Sequence, residues 1–148
     1  MNMWKTFCTI TIWGEPIATE RTRFDASRKI AYKPSKTRQA MTRRIALIQQ
    51  YISQNGLAMI ENEPIRVELD FYHSRPQRLM RKNDPLEPIP KTTKPDVDNL
   101  AKLILDSATQ GGLWSDDNLI SQLEIRDWYV AKTDQPKTVI IVLTTTKE

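Results

Sequence analysis

Five prolines, Pro76, Pro85, Pro88, Pro90 and Pro95, fall within residues 73–95. Each fixes φ and lacks a backbone donor, so no regular element is expected to run through that stretch. The chain is thereby divided into two parts with clear hydrophobic periodicity, joined by one long loop. A loop of this length in a small domain is functional or disordered. From Ser74 to Lys94 it carries six cations (Arg75, Arg78, Arg81, Lys82, Lys91 and Lys94) against Asp84 and Glu87, a balance that favours an anionic partner.

Upstream, residues 5–13 alternate as a strand, with Cys8, Ile10 and Ile12 on one face and Phe7 and Trp13 on the other. Gly14-Glu15-Pro16 ends it. Residues 17–34 have no period and predict a loop or short hairpin. Ser35 is the expected N-cap of a helix to about Gln54, with Ala40, Met41, Ile45, Ile48 and Ile52 inward and Asn55-Gly56 as its stop. Pro64 opens a strand over 65–72, with Ile65, Val67, Leu69 and Phe71 on one face.

Downstream, residues 96 to about 109 predict a second helix that turns Leu100, Leu103 and Ile104 inward and closes at Gly111-Gly112. Strands over about 119–129 and 138–144 follow, joined by a polar turn at Asp134-Gln135-Pro136. The order β-α-β-α-β-β predicts a single α+β domain over residues 1–148, a mixed sheet of about four strands with two packed helices.

A length of 148 residues suits one core, and 39% hydrophobic with 27% charged residues excludes a disordered chain. No stretch approaches the roughly 18 apolar residues of a membrane span. The opening MNMWKTFCTITIWGE builds no signal-peptide core, so a cytoplasmic location is expected. Cys8, the one cysteine, excludes an internal disulfide and a thiolate zinc cluster. Cys8 itself is expected in the core. His73, the one histidine, excludes a site built from several imidazoles and is expected at the surface or on a phosphate.

Net charge is +4, but the signs are sorted along the chain. Arg21 to Arg44 holds nine cations, Arg21, Arg23 and Lys33 among them, against Asp25 alone. Asp96 to Asp127 holds seven acids against Lys102 and Arg126. Cations suit a phosphodiester backbone, and clustered carboxylates suit a divalent ion that promotes its hydrolysis. Separate solvated basic and acidic faces account for the same distribution.

The chemistry concentrates in Lys94-Pro95-Asp96-Val97-Asp98-Asn99-Leu100-Ala101-Lys102, followed by Gly112-Leu113-Trp114-Ser115-Asp116-Asp117. Pro95 suits a helix entrance, so Asp96 and Asp98 lie where free N–H groups favour negative charge. Asp116 and Asp117 return after the helix. Carboxylates crowded together repel unless a cation neutralises them, and oxygen-only ligands select Mg²⁺ or Mn²⁺. Lys102, four residues after Asp98, is placed to face a phosphate or a water. A plain N-cap at Asp96, an i,i+4 ion pair between Asp98 and Lys102, and a simple turn at Asp116-Asp117 explain the same residues. An EF-hand is excluded, because Lys102 falls at a ligand position and no glycine is at the sixth.

The run KPDVDNLAKLILD and then GGLWSDDNLI resembles the signature of the RusA family of Holliday-junction resolvases over residues 94–120. Gly14-Glu15-Pro16 with Arg21 and Arg23, and Ala31-Tyr32-Lys33-Pro34, resemble its weaker N-terminal motifs. The resemblance implies a homodimeric endonuclease, of the kind frequent in phages and prophages, that resolves four-way DNA junctions by paired symmetric nicks with Mg²⁺, Mn²⁺ substituting. It implies that Asp96, Asp98 and Asp117 are metal-binding catalytic carboxylates, Asp116 an adjacent acid and Lys102 the catalytic lysine. Lys94, Arg21, Arg23 and Lys33 are the expected DNA contacts. The rival functions are a non-catalytic junction-binding phage protein and a Mg²⁺ nuclease for flaps or RNA. Trp114 is expected as an apolar plug beside the acidic turn, and Phe24 and Tyr32 are candidates to wedge into unstacked DNA.

Overall fold

The computed structural model describes residues 3–20 and 22–145. In chain order its elements are β1 (Trp4–Trp13), β2 (Arg23–Asp25), β3 (Ile30–Tyr32), α1 (Ser35–Asn55), β4 (Ile65–His73), β5 (Ile89–Pro90), α2 (Val97–Gln110), β6 (Ile120–Tyr129) and β7 (Lys137–Thr145). The main sheet is mixed, with strand order β1-β7-β4-β6-β5, and β2 and β3 form a separate hairpin. The α+β domain of the sequence analysis is therefore present, with one strand more than expected. That strand, β5, lies inside the proline-rich segment. It pairs only with β6, so Pro90 sits on a sheet edge, where a missing donor is tolerated.

β4 is the centre of the sheet. Ile65, Val67, Leu69 and Phe71 turn inward and are fully buried, as their alternation predicts. Full burial of such side chains contributes about 1.5–3 kcal/mol each. β7 pairs with β4 antiparallel and β6 pairs with it parallel. A parallel neighbour requires a crossover, and α2 supplies it. Cys8, Ile10 and Ile12 of β1, Ile140 and Val142 of β7, Ile48 of α1 and Leu100 and Ile104 of α2 complete one core on this face. Cys8 is buried as expected, and burial pushes its thiol up to about 12. The opposite face of β4 and β6 carries a polar ladder, in which Arg126 donates to Asp70 at 2.7 Å and to Glu68 at 3.0 Å.

The helices depart from expectation at two points. Pro34, not Ser35, caps α1, and Ser35 is its first helical residue with no side-chain cap. Proline's fixed φ suits that entry without a hydroxyl. The stop is as read: Gly56 adopts φ +59°, and Leu57 N–H returns to the Ile52 carbonyl at 3.0 Å. The buried line of α1 is Thr37, Ala40, Arg44 and Ile48, while Met41, Ile45 and Ile52 are half-buried. α2 buries Leu100, Leu103 and Ile104 as its periodicity predicts. Gly111 sits where the helices meet, since a Cβ there would lie 3.0 Å from the Ser107 carbonyl and 3.2 Å from Ile48 Cγ2.

Candidate active site

The proline-rich segment is organised by its own cations. The Arg75 guanidinium donates to three carbonyls, Val130 and Glu87 at 2.8 Å and Leu79 at 2.9 Å. Lys91 is buried. Its Nζ donates to the carbonyls of Thr93 at 2.6 Å and Lys94 at 2.8 Å, and lies 4.0 Å from Asp127. Two of the six cations expected to face a partner therefore hold the loop instead.

His73 needs a larger correction. It is 6% exposed, because it occupies the inward end of β4 rather than the loop surface. Its Nε2 lies 2.7 Å from Asp127 Oδ1 on the neighbouring parallel strand, and Nδ1 lies 3.9 Å from Glu15. Strand alternation carries the signal for this: residues 65, 67, 69, 71 and 73 share one face.

Lys91 thus straps the turn that leads into α2. Asp96 stands at the helix N-cap with φ −68° and ψ 144°, and its side chain caps no backbone N–H. Among the described residues its carboxylate makes no capping bond, so it is not simply a cap. Asp98 accepts only from the next residue's N–H, at 3.0 Å. Among the described residues, neither Asp98 nor Lys102 enters an ion pair, so their spacing is not a surface salt bridge. Three isolated charges at one helix entrance leave groups available to bind.

Two clefts open at this entrance. One, of about 430 Å³, is lined by Lys102, Asn99, Lys33, Thr19, Glu20 and Thr22. Thr19 N–H donates to the Asn99 carbonyl at 3.0 Å, which ties the N-terminal segment to the first turn of α2. The structure therefore brings Lys33 beside Lys102, although 69 positions separate them. The second cleft, of about 450 Å³, includes Lys94, Asp96, Lys91 and Asp127. Arg23 is exposed on β2, 3.8 Å from Glu20. Arg21 lies outside the described residues. On the strands of the hairpin, which turns over residues 26–29, Phe24 is 66% exposed and Tyr32 is also exposed. Asp25 holds that turn by accepting from Ser27 Oγ at 2.7 Å and Arg28 Nε at 2.8 Å, and these bonds lower its carboxyl to about 2.

The acidic turn lies beyond α2. Trp114 is completely buried and donates its indole N–H to Thr109 Oγ1 at 2.8 Å, so the apolar plug is as expected. Asp116 accepts from the Asn118 N–H at 2.8 Å. A side-chain hydrogen bond with Asp116, then desolvation, then the charges of Asp116 and Asp106 hold Asp117 above its ordinary carboxyl pKa. Asp106 is the acid that sequence reasoning missed. Its signal is the spacing Asp98, Lys102, Asp106, which runs along one side of α2.

The oxygen-only donors, exposed at Asp96, Asp98, Asp116 and Asp117, fit a hard divalent cation by their chemistry. As arranged, no three acidic, histidine or cysteine side chains among the described residues come close enough to hold one ion. The carboxylates form two groups, Asp96 with Asp98 at the entrance of α2 and Asp116 with Asp117 after its end.

A family model for the endodeoxyribonuclease RusA matches residues 14–142, which take in both acidic groups and both clefts. The chain belongs to the RusA family. A relative, the uncharacterized protein YqaN of Bacillus subtilis (strain 168), is 25% identical over 138 residues, covering 89% of this chain and 92% of that protein. RusA membership implies an endodeoxyribonuclease, a hydrolase of DNA phosphodiesters, and ties the chain to Holliday junctions and DNA recombination. Among the described residues no helix is long and apolar enough to cross a membrane.

Proposed function

We propose that this RusA-family chain is a Mg²⁺-dependent endonuclease that resolves four-way DNA junctions as a homodimer, one phosphodiester to each subunit. What carries the proposal is the entrance of α2, where the exposed carboxylates of Asp96 and Asp98 precede Asn99, which lines one cleft together with Lys33 and Lys102. Asp96 and Asp98 at one end of α2, and Asp117 with Asp116 beside it after the other, are the residues to hold the ion once it draws the two groups together, and Mn²⁺ has the same ligand preference. When bound, such an ion neutralises charge on a phosphoryl oxygen and lowers the pKa of water. Lys102 faces the charge that develops on the phosphoryl oxygens as water adds to phosphorus and the sugar oxygen leaves with a proton. Lys33, Lys94, Arg23 and Arg21 hold flanking phosphates, which position the substrate and carry no sequence information. A junction has two-fold related strands, and two equivalent nicks need two equivalent sites. A bacterial cytoplasm with phage or prophage origin belongs to the same proposal.

One gel tests it. Labelled four-way junction, flap, duplex and RNA are incubated with Mg²⁺ or chelator, alongside an Asp96→Asn variant. The expected result is paired nicks in the junction only, lost with chelator and lost in the variant, while junction binding persists. Near-normal cutting by Asp96→Asn overturns the assignment of the site. Binding without cutting makes the chain a junction-binding protein, and preferred cutting of flaps or RNA changes the substrate.

A further inference from the structure

Arg44 stands in the buried line of α1, where the contact with β1 calls for an apolar residue, and it is 5% exposed. Its hydrogen bonds are two long ones to carbonyls, Ala40 and Glu15, both at 3.3 Å. Its Nε is buried with no partner among the described residues. Among the described residues no carboxylate pairs with Arg44: desolvation, followed by the neighbouring charge of Arg43, pulls the guanidinium below its usual range. Burying a cation without a counter-charge is strongly unfavourable, and a packed apolar residue serves a helix–sheet contact better.

Arg44 also lines a cleft of about 400 Å³ between the end of β1 and α1, together with the exposed cations Lys36 and Arg43 and with Gln39. Glu15 is the one acid in the lining. Its carboxylate is engaged elsewhere, accepting the Ser74 N–H at 3.0 Å and lying 3.9 Å from His73. None of these residues lines the clefts at α2. The cleft thus concentrates three cations with donors to spare, one of them desolvated, and the planar fork of arginine matches the tetrahedral oxygens of a phosphate.

We infer that this cleft is a second, non-catalytic subsite that takes a phosphate group, with Arg44 beneath it and Lys36 and Arg43 at its edge. If the nuclease function proposed above holds, the source is a backbone phosphate on a DNA arm away from the scissile bond. Free phosphate shares the chemistry, and the test separates the two.

The whole chain is melted with increasing inorganic phosphate, against chloride at matched ionic strength, as wild type and as Arg44→Met. Junction binding in chelator is measured for wild type and for a Lys36→Ala/Arg43→Ala variant, whose altered residues are exposed and leave the core intact. Phosphate is expected to raise the wild-type melting temperature with dose and to leave Arg44→Met unmoved. The double variant is expected to bind junction about tenfold more weakly, with the slope of log affinity against log salt reduced by about 2. A phosphate effect with unchanged junction binding supports the subsite and assigns it to free phosphate. A phosphate effect in a wild type that does not bind junction at all sinks the nuclease proposal and leaves the subsite standing. No phosphate effect on wild type and full junction binding by the double variant overturn the inference, whichever way Arg44→Met folds.

Discussion

The two basic segments look alike as sequence and differ as structure. In the first, over residues 21–44, the described cations Arg23, Arg28, Lys29, Lys36, Arg38 and Arg43 are exposed, Lys33 lines a cleft with one long bond to the Glu20 carbonyl at 3.5 Å, and Arg44 alone is buried. In the second, over residues 74–94, Arg75 donates to the Leu79 and Glu87 carbonyls of its own loop and to Val130 just after β6, and Lys91 donates to Thr93 and Lys94, so that both hold the loop in shape. Lys132, from the β6–β7 connection, is a third cation used this way, donating to the Arg81 carbonyl at 2.6 Å. A positive charge in a proline-rich loop has two competing uses, because prolines leave carbonyls without strand or helix partners. Counting cations measures the supply; only the hydrogen bonds say how many remain for a ligand.

The sharpest way to break the comparison is Arg75→Met. If Arg75 holds the loop, three carbonyls lose a charged donor, which costs about 3 kcal/mol. Thermal melting then drops by about 10 °C, while salt-dependent DNA binding by the folded fraction keeps its slope. A variant that melts normally and binds DNA less would put Arg75 with the ligand-facing cations.

Lys33→Ala makes the opposite case. Melting should be unchanged. Junction affinity should fall about five- to tenfold, with the salt slope reduced by about 1. Filter binding across a salt series reads both, and a lowered melting temperature with intact binding would erase the contrast between the segments.

The smallest effect sharpens the acidic side. Asp116→Asn removes the neighbour that most raises Asp117, so the Asp117 carboxyl should titrate closer to its ordinary 3.8. The sign follows from the raised folded value. In the wild type, the contribution of Asp117 to stability is complete at low pH and is lost as pH rises through its titration. The variant should therefore match the wild type in acid and exceed it near neutrality. Carboxyl carbon NMR reads the titration, and melting at the two pH values reads the stability.

Much of this was legible before folding because it depends on local period. The alternation of β4 and the three- and four-residue spacing in α2 name their buried residues correctly. Gly56 ends α1 through its own backbone freedom, and the KPDVDNLAK run marks the entrance to α2 without tertiary help. The misses have a common cause. His73 reads as a loop residue until β6 brings Asp127 alongside, and Lys91 reads as a surface cation until its own turn folds over it. β5 exists only because β6 offers an open edge at Tyr129 and Trp128.

The candidate site divides along the same line. Its residue types, the carboxylates at 96, 98, 116 and 117 and the lysine at 102, were set by sequence alone, because chemistry at a helix entrance and in a turn is local. The sharing of one cleft by Lys33 and Lys102 and the burial of Arg44 against β1 were decided by tertiary structure. Each depends on packing between segments distant along the chain, and a periodicity of 2 or 3.6 residues holds no information about which segments will be neighbours.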